Sequence, residues 1–309
     1  MLLLTTIIDQ DQRFRHEFII WAQCANTHST ESHVKKIAYF IDSVPEDLRE
    51  FAASQNIEIR IAKTFLPGSP HCNKMIPLFD EQNQNSDGII ITDSDLFFVS
   101  DPALYFKEDK IRLAPNNGNN PPLSIYQKLF KHFGFEAEPR IGESLMPGPD
   151  GSRESYINNN SGGIIMIPKF FLQDLKLHWK KWAVKLINEK EILGRWKIHI
   201  DQVAFALAME SIGQDIQFLP AEINATLKYL PNLNNVEAFH ITKTHRFKYA
   251  DWFNNIGELN IPNARPKIKA ATDKLNKCIR STELNRKLYP FPSPPSKSFL
   301  SRFFARFKA

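Results

Sequence analysis

The sequence has few cysteines and no long apolar run, and each scarcity excludes a class of protein. Only three of its 309 residues are cysteine, and Cys24, Cys72 and Cys278 lie far apart. This number and spacing exclude a disulfide scaffold and a structural zinc site, so we expect a reducing compartment. No apolar run approaches the roughly twenty residues of a membrane-spanning helix. Residues 1–9 lack the basic start of a signal peptide, and we therefore expect a cytoplasmic protein.

The chain also has little excess of charge of either sign. The chain has 39 Lys plus Arg against 34 Asp plus Glu, and the net charge of +5 is too small to indicate a nucleic-acid partner. Residues 297–309 contain four of the cations, four phenylalanines and no acid. On a helix, the aromatic residues form one face with cations at both edges, which predicts association with an anionic membrane surface, the inner face of the cytoplasmic membrane. The alternative is that this face packs on the domain or on a partner subunit.

The hydropathy pattern predicts an α/β fold. Short runs rich in β-branched residues alternate with amphipathic stretches, as in βα units around a mostly parallel sheet. We predict strands at residues 2–8, 37–41, 57–62, 88–92, 164–167 and 236–241, and helices near residues 13–25, 45–54, 73–81, 170–189 and 201–211. One domain is expected over residues 1–262, followed by a basic, proline-containing extension over 263–309. Residues 140–155, rich in glycine and proline, are a candidate lid or acceptor wall.

The strongest functional signal is a pair of acids after a buried strand. The strand at residues 88–92 leads into Asp93, Ser94 and Asp95. Ligands of open α/β sheets bind beyond the carboxyl ends of the strands. Two carboxylates so close need a cation, and oxygen ligands suit Mg²⁺ or Mn²⁺ bound together with substrate phosphates. The alternative, more frequent for an isolated pair, is that both acids cap a turn.

Polar residues at two other element boundaries suit the same chemistry. Asn160 stands in a glycine-containing turn before a strand, where an amide can bind hydroxyl groups, although a β-bulge is an equally good reading. Asp201 and Gln202 stand at the start of a helix, where Asp201 is alternatively an N-cap.

A late histidine is followed by a cluster of cations. His240 ends a short apolar strand, and Lys243, His245 and Arg246 follow it. An imidazole can complete a carboxylate metal site, and the cations would neutralise a diphosphate. The alternative for His240 is a structural role.

In this order, the motifs resemble nucleotide-sugar-dependent glycosyltransferases of the A-type fold, nearest to the branch of glycogenin and the bacterial lipooligosaccharide galactosyltransferases. The resemblance covers about residues 2–252, and it also includes Lys74 on the helix before the acidic strand and the Asp101-Pro pair after it. It implies a Rossmann-like sheet and transfer of a hexose from a nucleoside diphosphate sugar, UDP-linked, to a glycan or glycolipid hydroxyl. It further implies retention of configuration and a place in bacterial surface polysaccharide or lipopolysaccharide synthesis.

The resemblance also implies roles for individual residues. The ligands of Mn²⁺, or of Mg²⁺, would be Asp93, Asp95 and His240. The residues that bind the nucleotide sugar would be Ile8, Asp9, Lys74, Asp93, Ser94, Lys243 and His245. The catalytic residues that handle the donor sugar would be Asn160, Asp201 and Gln202. The sequence departs from the family at Lys243, which stands where the late motif usually has glycine.

Two other functions fit part of the pattern. A phosphatase of the haloacid dehalogenase type also places an acidic pair after a strand, but that pair normally lies near the start of the chain with Thr or Val two residues on. A sugar-nucleotide or glycan-binding module without turnover would keep the same residues.

Overall fold

A seven-stranded sheet runs through the centre of the computed structural model, which describes residues 1–148, 151–226, 230–241, 252–254, 257–261 and 264–280. The strands are β1 (Leu2–Ile8), β2 (Val34–Ile41), β3 (Glu58–Ala62), β4 (Gly88–Thr92), β5 (Leu96–Phe98), β6 (Arg112–Pro115), β7 (Ile141–Glu143), β8 (Glu154–Tyr156), β9 (Asn160–Pro168), β10 (Gln217–Phe218), β11 (Ala225–Thr226) and β12 (Ala238–His240). The α-helices are α1 (Gln12–His28), α2 (Glu46–Ser54), α3 (Ile76–Phe79), α4 (Leu123–Phe133), α5 (Leu172–Asn188), α6 (Ile200–Ser211) and α7 (Pro266–Arg280).

The central sheet has the order β10-β6-β9-β4-β1-β2-β3. Strand β9 is antiparallel to both of its neighbours, and the other pairs are parallel. The predicted α/β class with a mostly parallel sheet is therefore confirmed. Because β1 and β4 are parallel and in register from Leu2 with Gly88 to Thr6 with Thr92, the residues after both strands leave the sheet at the same edge.

The sheet is buried on both faces, as its β-branched and leucine-rich strands predict. Side chains of neighbouring positions on one strand enter different cores, because successive side chains point to opposite faces. Leu4 and Ile90 belong to the core that includes α1 and α7, whereas Leu3 and Ile91 belong to the core that includes α5 and α6. The sheet is therefore held rigidly between two helical layers.

The predicted helix at residues 73–81 is wrong in type and extent. The chain forms a 3₁₀ helix at Pro70–Met75, the short α3, and a second 3₁₀ turn at Glu81–Asn83. Asp80 adopts an extended conformation and its side chain accepts a hydrogen bond from the Gln82 backbone, which ends α3 and starts the next turn. Asp and Pro are strong local breakers of helix geometry, and here they outweigh the apolar spacing.

Helix α7 joins the extension to the main core. Its Ile268, Leu275 and Ile279 are buried in the core that also contains α1, beyond the predicted domain boundary at residue 262. No helix is among the elements predicted after residue 211. The remaining part of the extension, including the predicted membrane-associating segment 297–309, lies outside the described residues. Within the described residues, no helix has the length and apolar character needed to cross a membrane.

The candidate lid at residues 140–155 contains a hairpin made of β7 and β8. It is fixed to a neighbouring loop, because the Leu145 backbone donates to the Asn116 carbonyl over 3.1 Å and Asn119 Nδ2 donates to the Ser152 carbonyl over 3.1 Å. Its role as a lid stays a prediction.

The buried His16 on α1 makes the stability of the fold sensitive to acid. Its ring meets the Phe253 ring edge to face, with centroids 5.6 Å apart, and burial lowers its pKa to about 3. In the unfolded chain, His16 binds a proton when the pH falls below its usual pKa of about 6.5. In the folded protein, the ring stays neutral down to about pH 3. Stability is therefore lost as the pH falls below about 6.5, by about 1.4 kcal/mol per pH unit.

We expect the substitution His16→Met to remove this part of the pH dependence. Between pH 7 and pH 5, the free energy of unfolding of the wild type should fall by about 2 kcal/mol more than that of the variant. Urea unfolding at both pH values measures this difference. His33→Met, the same substitution at an exposed position, is the control. An identical pH dependence of wild type and His16→Met would contradict the prediction.

Candidate active site

The acidic pair lies on a turn between two sheets. Strand β4 ends at Thr92, the chain turns at Ser94 and Asp95, and the Leu96 backbone donates to the Asp93 carbonyl over 3.2 Å. Strand β5 then pairs with β12, which sets Leu96 opposite His240. The extended geometry therefore stops at this turn, and the second sheet, rather than strand alternation, brings the two acids to the histidine.

Asp93, Asp95 and His240 form one cluster of potential metal ligands. His240 Nε2 lies 3.5 Å from Asp93 Oδ2 and 3.2 Å from Asp95 Oδ1, and one ligand atom from each residue lies within 4.8 Å of the others. Burial disfavours a charged imidazole, but Asp95 and Asp93 outweigh it and raise the pKa of His240 to about 9. Burial also opposes the charge of Asp93, yet Lys74 and His240 lower its pKa.

The cluster fits a divalent cation. Two carboxylates and one imidazole are a donor set that Mn²⁺ or Mg²⁺ accepts, with substrate and water oxygens completing the coordination. The raised pKa of His240 has the same physical cause, because the two carboxylates attract positive charge at this point.

Lys74 ties three segments of the site together. Its Nζ lies 2.8 Å from Asp93 Oδ1 and 3.4 Å from Asp201 Oδ2, and it donates to the Gly162 carbonyl over 3.1 Å. Burial disfavours the charged amine, but the two carboxylates raise its pKa. The ammonium is therefore a permanent part of the site that attracts both Asp93 and Asp201 and offsets the repulsion between them.

Asp201, Gln202 and Asn160 meet at the start of α6. The N-cap of α6 is His199, so Asp201 lies inside the first turn and is not the cap. The Asp201 carbonyl accepts a hydrogen bond of 2.9 Å from Trp179 Nε1, which fixes the start of the helix. Asn160 Nδ2 lies 3.5 Å from the Gln202 carbonyl, and its buried Oδ1 has no hydrogen-bond partner among the described residues. An acceptor atom thus remains for a ligand hydroxyl.

Two glycines make room for the charged side chains. A methyl group on Gly162 would lie 2.7 Å from Lys74 Nζ. A methyl group on Gly163 would lie 2.3 Å from Asn224 Oδ1 and 2.8 Å from His240 Nδ1. The space left by the missing side chains is occupied by the site residues Lys74, Asn224 and His240.

We expect Gly163→Ala to displace His240 and weaken the site. Overpacking of this kind costs about 1 to 3 kcal/mol, and a shifted imidazole should lower the affinity for Mn²⁺ about tenfold or more. Thermal unfolding and calorimetric titration with Mn²⁺ measure both effects. Gly118→Ala is the matched control, because a methyl group there meets no atom nearer than 3.6 Å. If the two variants bind Mn²⁺ equally well, the close approach at Gly163 has no functional consequence.

An open cleft of about 220 Å³ faces the acidic turn. The carboxyl end of β1 forms one wall with Ile7 and Asp9, while the Ile8 side chain is fully buried in the core. The resemblance implies Ile8 at the nucleotide, whereas the side chain at the cleft is that of Ile7. Neighbouring strand residues point to opposite faces, so only one of the two side chains can line the cleft. Lys74, Asp93, Ser94 and Asp95 also line the cleft. The predicted Lys243 and His245 lie outside the described residues.

Sequence reasoning missed two charged residues on α1. Arg13 Nη2 lies 3.0 Å from Asp95 Oδ2, its Nε pairs with Glu17, and Ser94 Oγ donates to Glu17 Oε2 over 2.5 Å. Burial and the nearby Asp95 raise the pKa of Glu17 to about 8. This network holds Ser94 and Asp95 from the side opposite His240. The signal in the sequence is an Arg and a Glu four residues apart in the first turns after β1.

The chain matches one family model in sequence. The family, described as the Rhodobacterales glycosyltransferase domain, matches residues 2–213, more than two thirds of the chain. This chain belongs to that glycosyltransferase family. No curated protein matches its sequence.

Solved structures show the same fold at low sequence identity. A structure of the galactosyltransferase LgtC in complex with donor and acceptor sugar analogs has 10% identity and a TM-score of 0.55, with 93% of this chain and 100% of that chain covered. An active-site mutant of LgtC gives a TM-score of 0.58 at 11% identity, with the same coverage. The bifunctional glycosyltransferase WbbM, in its apo form, has 12% identity and a TM-score of 0.51, with 93% of this chain and 51% of that chain covered.

The predicted A-type glycosyltransferase fold and the enzyme class are therefore confirmed. The haloacid dehalogenase alternative has no support, since the family match and the solved structures are glycosyltransferases. In this glycosyltransferase the acidic pair follows the fourth strand. His240 lies on β12, in the three-stranded sheet β11-β12-β5.

Proposed function

We propose that this glycosyltransferase transfers a hexose from a UDP-linked sugar to a hydroxyl group of a glycan or glycolipid. The observation that carries the proposal is the cluster of Asp93, Asp95 and His240, whose two acids line the cleft. A bound sugar nucleotide places a diphosphate and a nucleoside next to each other, and the cleft offers a cation site next to an apolar and acidic wall at Ile7 and Asp9. The LgtC structure with donor and acceptor sugar analogs supports the same use of the fold.

Asp93, Asp95 and His240 would hold Mn²⁺ or Mg²⁺. When bound, the ion supplies positive charge that stabilises the diphosphate leaving group. Arg13 and Lys74 each pair with one of the carboxylates and keep the ligand oxygens in place. Lys243 and His245 would add positive charge at the diphosphate.

Asn160, Asp201 and Gln202 would bind the hydroxyl groups of the donor sugar. Asn160 has a buried oxygen available, and the Asp201 carboxylate lies 3.4 Å from the Lys74 ammonium. That ion pair suits Asp201 for holding the sugar better than for removing a proton, and it favours transfer with retention. In that reaction the bond from the anomeric carbon to phosphate breaks, the acceptor oxygen bonds to the same face, and the acceptor proton passes to the leaving phosphate.

The composition of the tail supports a proposal for the acceptor and for the location of the enzyme. A basic, aromatic segment at residues 297–309 would bind an anionic membrane surface and keep the enzyme on the cytoplasmic side of it. A lipid-linked or lipopolysaccharide core sugar would then be within reach of the cleft, which supports a role in bacterial surface polysaccharide synthesis.

A thermal-shift screen of nucleoside diphosphate sugars with and without Mn²⁺ tests the donor. We expect one UDP-sugar to raise the unfolding temperature when Mn²⁺ is present, by mass action on the folded state, and EDTA to remove the effect. The same donor should be hydrolysed slowly, with UDP and the free sugar released in the α configuration for an α-linked donor. No stabilisation by any nucleoside diphosphate sugar would contradict the proposal, and release of the β anomer would contradict retention.

A further inference from the structure

Helix α5 carries an exposed face that combines lysines with apolar side chains. The helix contains four lysines and one acid, Asp174. Leu177 and Val184 are 66% and 37% exposed, and Phe170, in the 3₁₀ turn before the helix, is 81% exposed. Large hydrophobic residues with such exposure are few in the described residues, so three of them within fifteen positions form a distinct surface. We call Phe170, Leu177, Val184 and the four lysines of α5 the α5 face.

The helical geometry puts Leu177 and Val184 in the middle of the α5 face. At about 100° per residue, Leu177 and Val184 lie within about 20° of each other. Lys180 and Lys181 lie within about 60° on either side of this line, and Lys176 and Lys185 lie at its outer edges. The opposite side of the helix is the buried one, with Trp179, Trp182 and Leu186 in the core. An apolar stripe with cations on both sides is the arrangement of an interfacial helix.

Aromatic rings contact lysines of the α5 face. Lys180 Nζ lies 5.8 Å from the Phe65 ring centroid and 5.2 Å from that of Phe79. Lys185 Nζ lies 4.3 Å from the Phe133 ring centroid. The hydrocarbon stems of these lysines thus lie along apolar surface, and Lys180 and Lys181 are exposed to solvent.

The charge of the α5 face excludes a second copy of the chain as its partner. In a symmetric dimer built on this face, four lysines would meet four lysines, and each helix offers only Asp174 to compensate. The complementary partner is anionic and extended, and it accepts exposed apolar side chains without a matching groove. The surface of an anionic lipid bilayer has these properties.

We propose that the α5 face docks on an anionic lipid bilayer, independently of the tail at residues 297–309. The face lies beside the active site, because Trp179 on the inner side of α5 donates a hydrogen bond of 2.9 Å to the carbonyl of Asp201. One helix diameter, about 10 Å, therefore separates the docked surface from the residues of the site. The docked enzyme presents its cleft at the level of the lipid headgroups, whichever sugar it transfers.

Binding of the full-length protein to vesicles tests the proposal. Each lysine near an anionic surface strengthens partitioning about fivefold. The double substitution K180E/K181E should therefore lower partitioning onto phosphatidylglycerol-containing vesicles at least about thirtyfold, and L177Q should lower it further. The matched control is K274E/K277E, which makes the same charge change on exposed positions of α7 and should lower it much less. Raising the salt concentration should weaken wild-type binding.

A tail variant separates the two surfaces. In the R302E/R306E background, K180E/K181E should still reduce vesicle binding by the same factor, while donor-induced stabilisation by nucleoside diphosphate sugars stays at the wild-type value. Equal binding of K180E/K181E and K274E/K277E in both backgrounds would overturn the proposal. Equal wild-type binding to pure phosphatidylcholine would also overturn it. Light scattering that shows a dimer dissociated by K180E/K181E would assign the face to subunit contact instead.

Discussion

Asp95→Asn is expected to reduce glycosyl transfer about a thousandfold while leaving the fold intact. Asparagine has the shape of aspartate, so the packing around the turn is retained. The substitution removes the negative charge 3.2 Å from His240 Nε2, and with it one of the two carboxylates that attract a cation. Loss of electrostatic stabilisation of a leaving group costs a factor of about 10² to 10³ for a single donor, and loss of a metal ligand costs at least as much.

Calorimetric titration with Mn²⁺ and the rate of donor hydrolysis measure the effect of Asp95→Asn. Substitution of a residue that hydrogen-bonds a metal ligand lowers metal affinity about 10- to 100-fold. The loss of affinity on removal of a ligand itself should be larger. Asp101→Asn is the matched control: Asp101 Oδ1 accepts a hydrogen bond from the Ala103 backbone over 2.9 Å, and asparagine caps such a turn equally well. Wild-type Mn²⁺ affinity in Asp95→Asn would show that the ion, if needed, binds elsewhere.

Lys74→Met should destabilise the protein by about 3 to 5 kcal/mol. The ammonium lies 2.8 Å from Asp93 Oδ1 and 3.4 Å from Asp201 Oδ2, and its removal leaves the buried Asp201 and the half-buried Asp93 without their shared cation. Breaking a buried ion pair from one side costs this much because the remaining charge is no longer compensated. In urea unfolding, the deficit should shrink as the pH is lowered, since protonation removes the uncompensated charges.

Lys36→Met provides the comparison for Lys74→Met. Lys36 is as inaccessible as Lys74, at 8% against 9% exposure, but it makes no ion pair with the described residues. Burial lowers the pKa of Lys36, and the attraction of Asp101 offsets this only in part, so replacement of Lys36 should be neutral or slightly stabilising. If both variants lose the same stability, the three-way contact of Lys74 contributes nothing beyond ordinary packing.

Local patterns located most of the sheet and the acidic pair. Strands β1 and β4 have the predicted ends because each is a short β-branched run bounded by polar or turn residues. The acids after β4 were identifiable as a site because a ligand edge follows from strand direction alone. Strand β5 was not predicted, since three apolar residues have no distinctive period. Helix α7 was not predicted either, although Ile268, Leu275 and Ile279 stand at helical spacing within its basic sequence.

The sequence by itself determined the α/β class, the buried strand that ends at the acidic pair, and the residue types of the candidate site. Only the tertiary structure decided which of these residues meet. His240 reaches Asp95 because β12 pairs with β5, and Glu17 reaches Ser94 because α1 packs beside the turn. Contacts between residues so far apart in the chain depend on how sheets and helices pack, and no local pattern of charge or hydropathy encodes that packing.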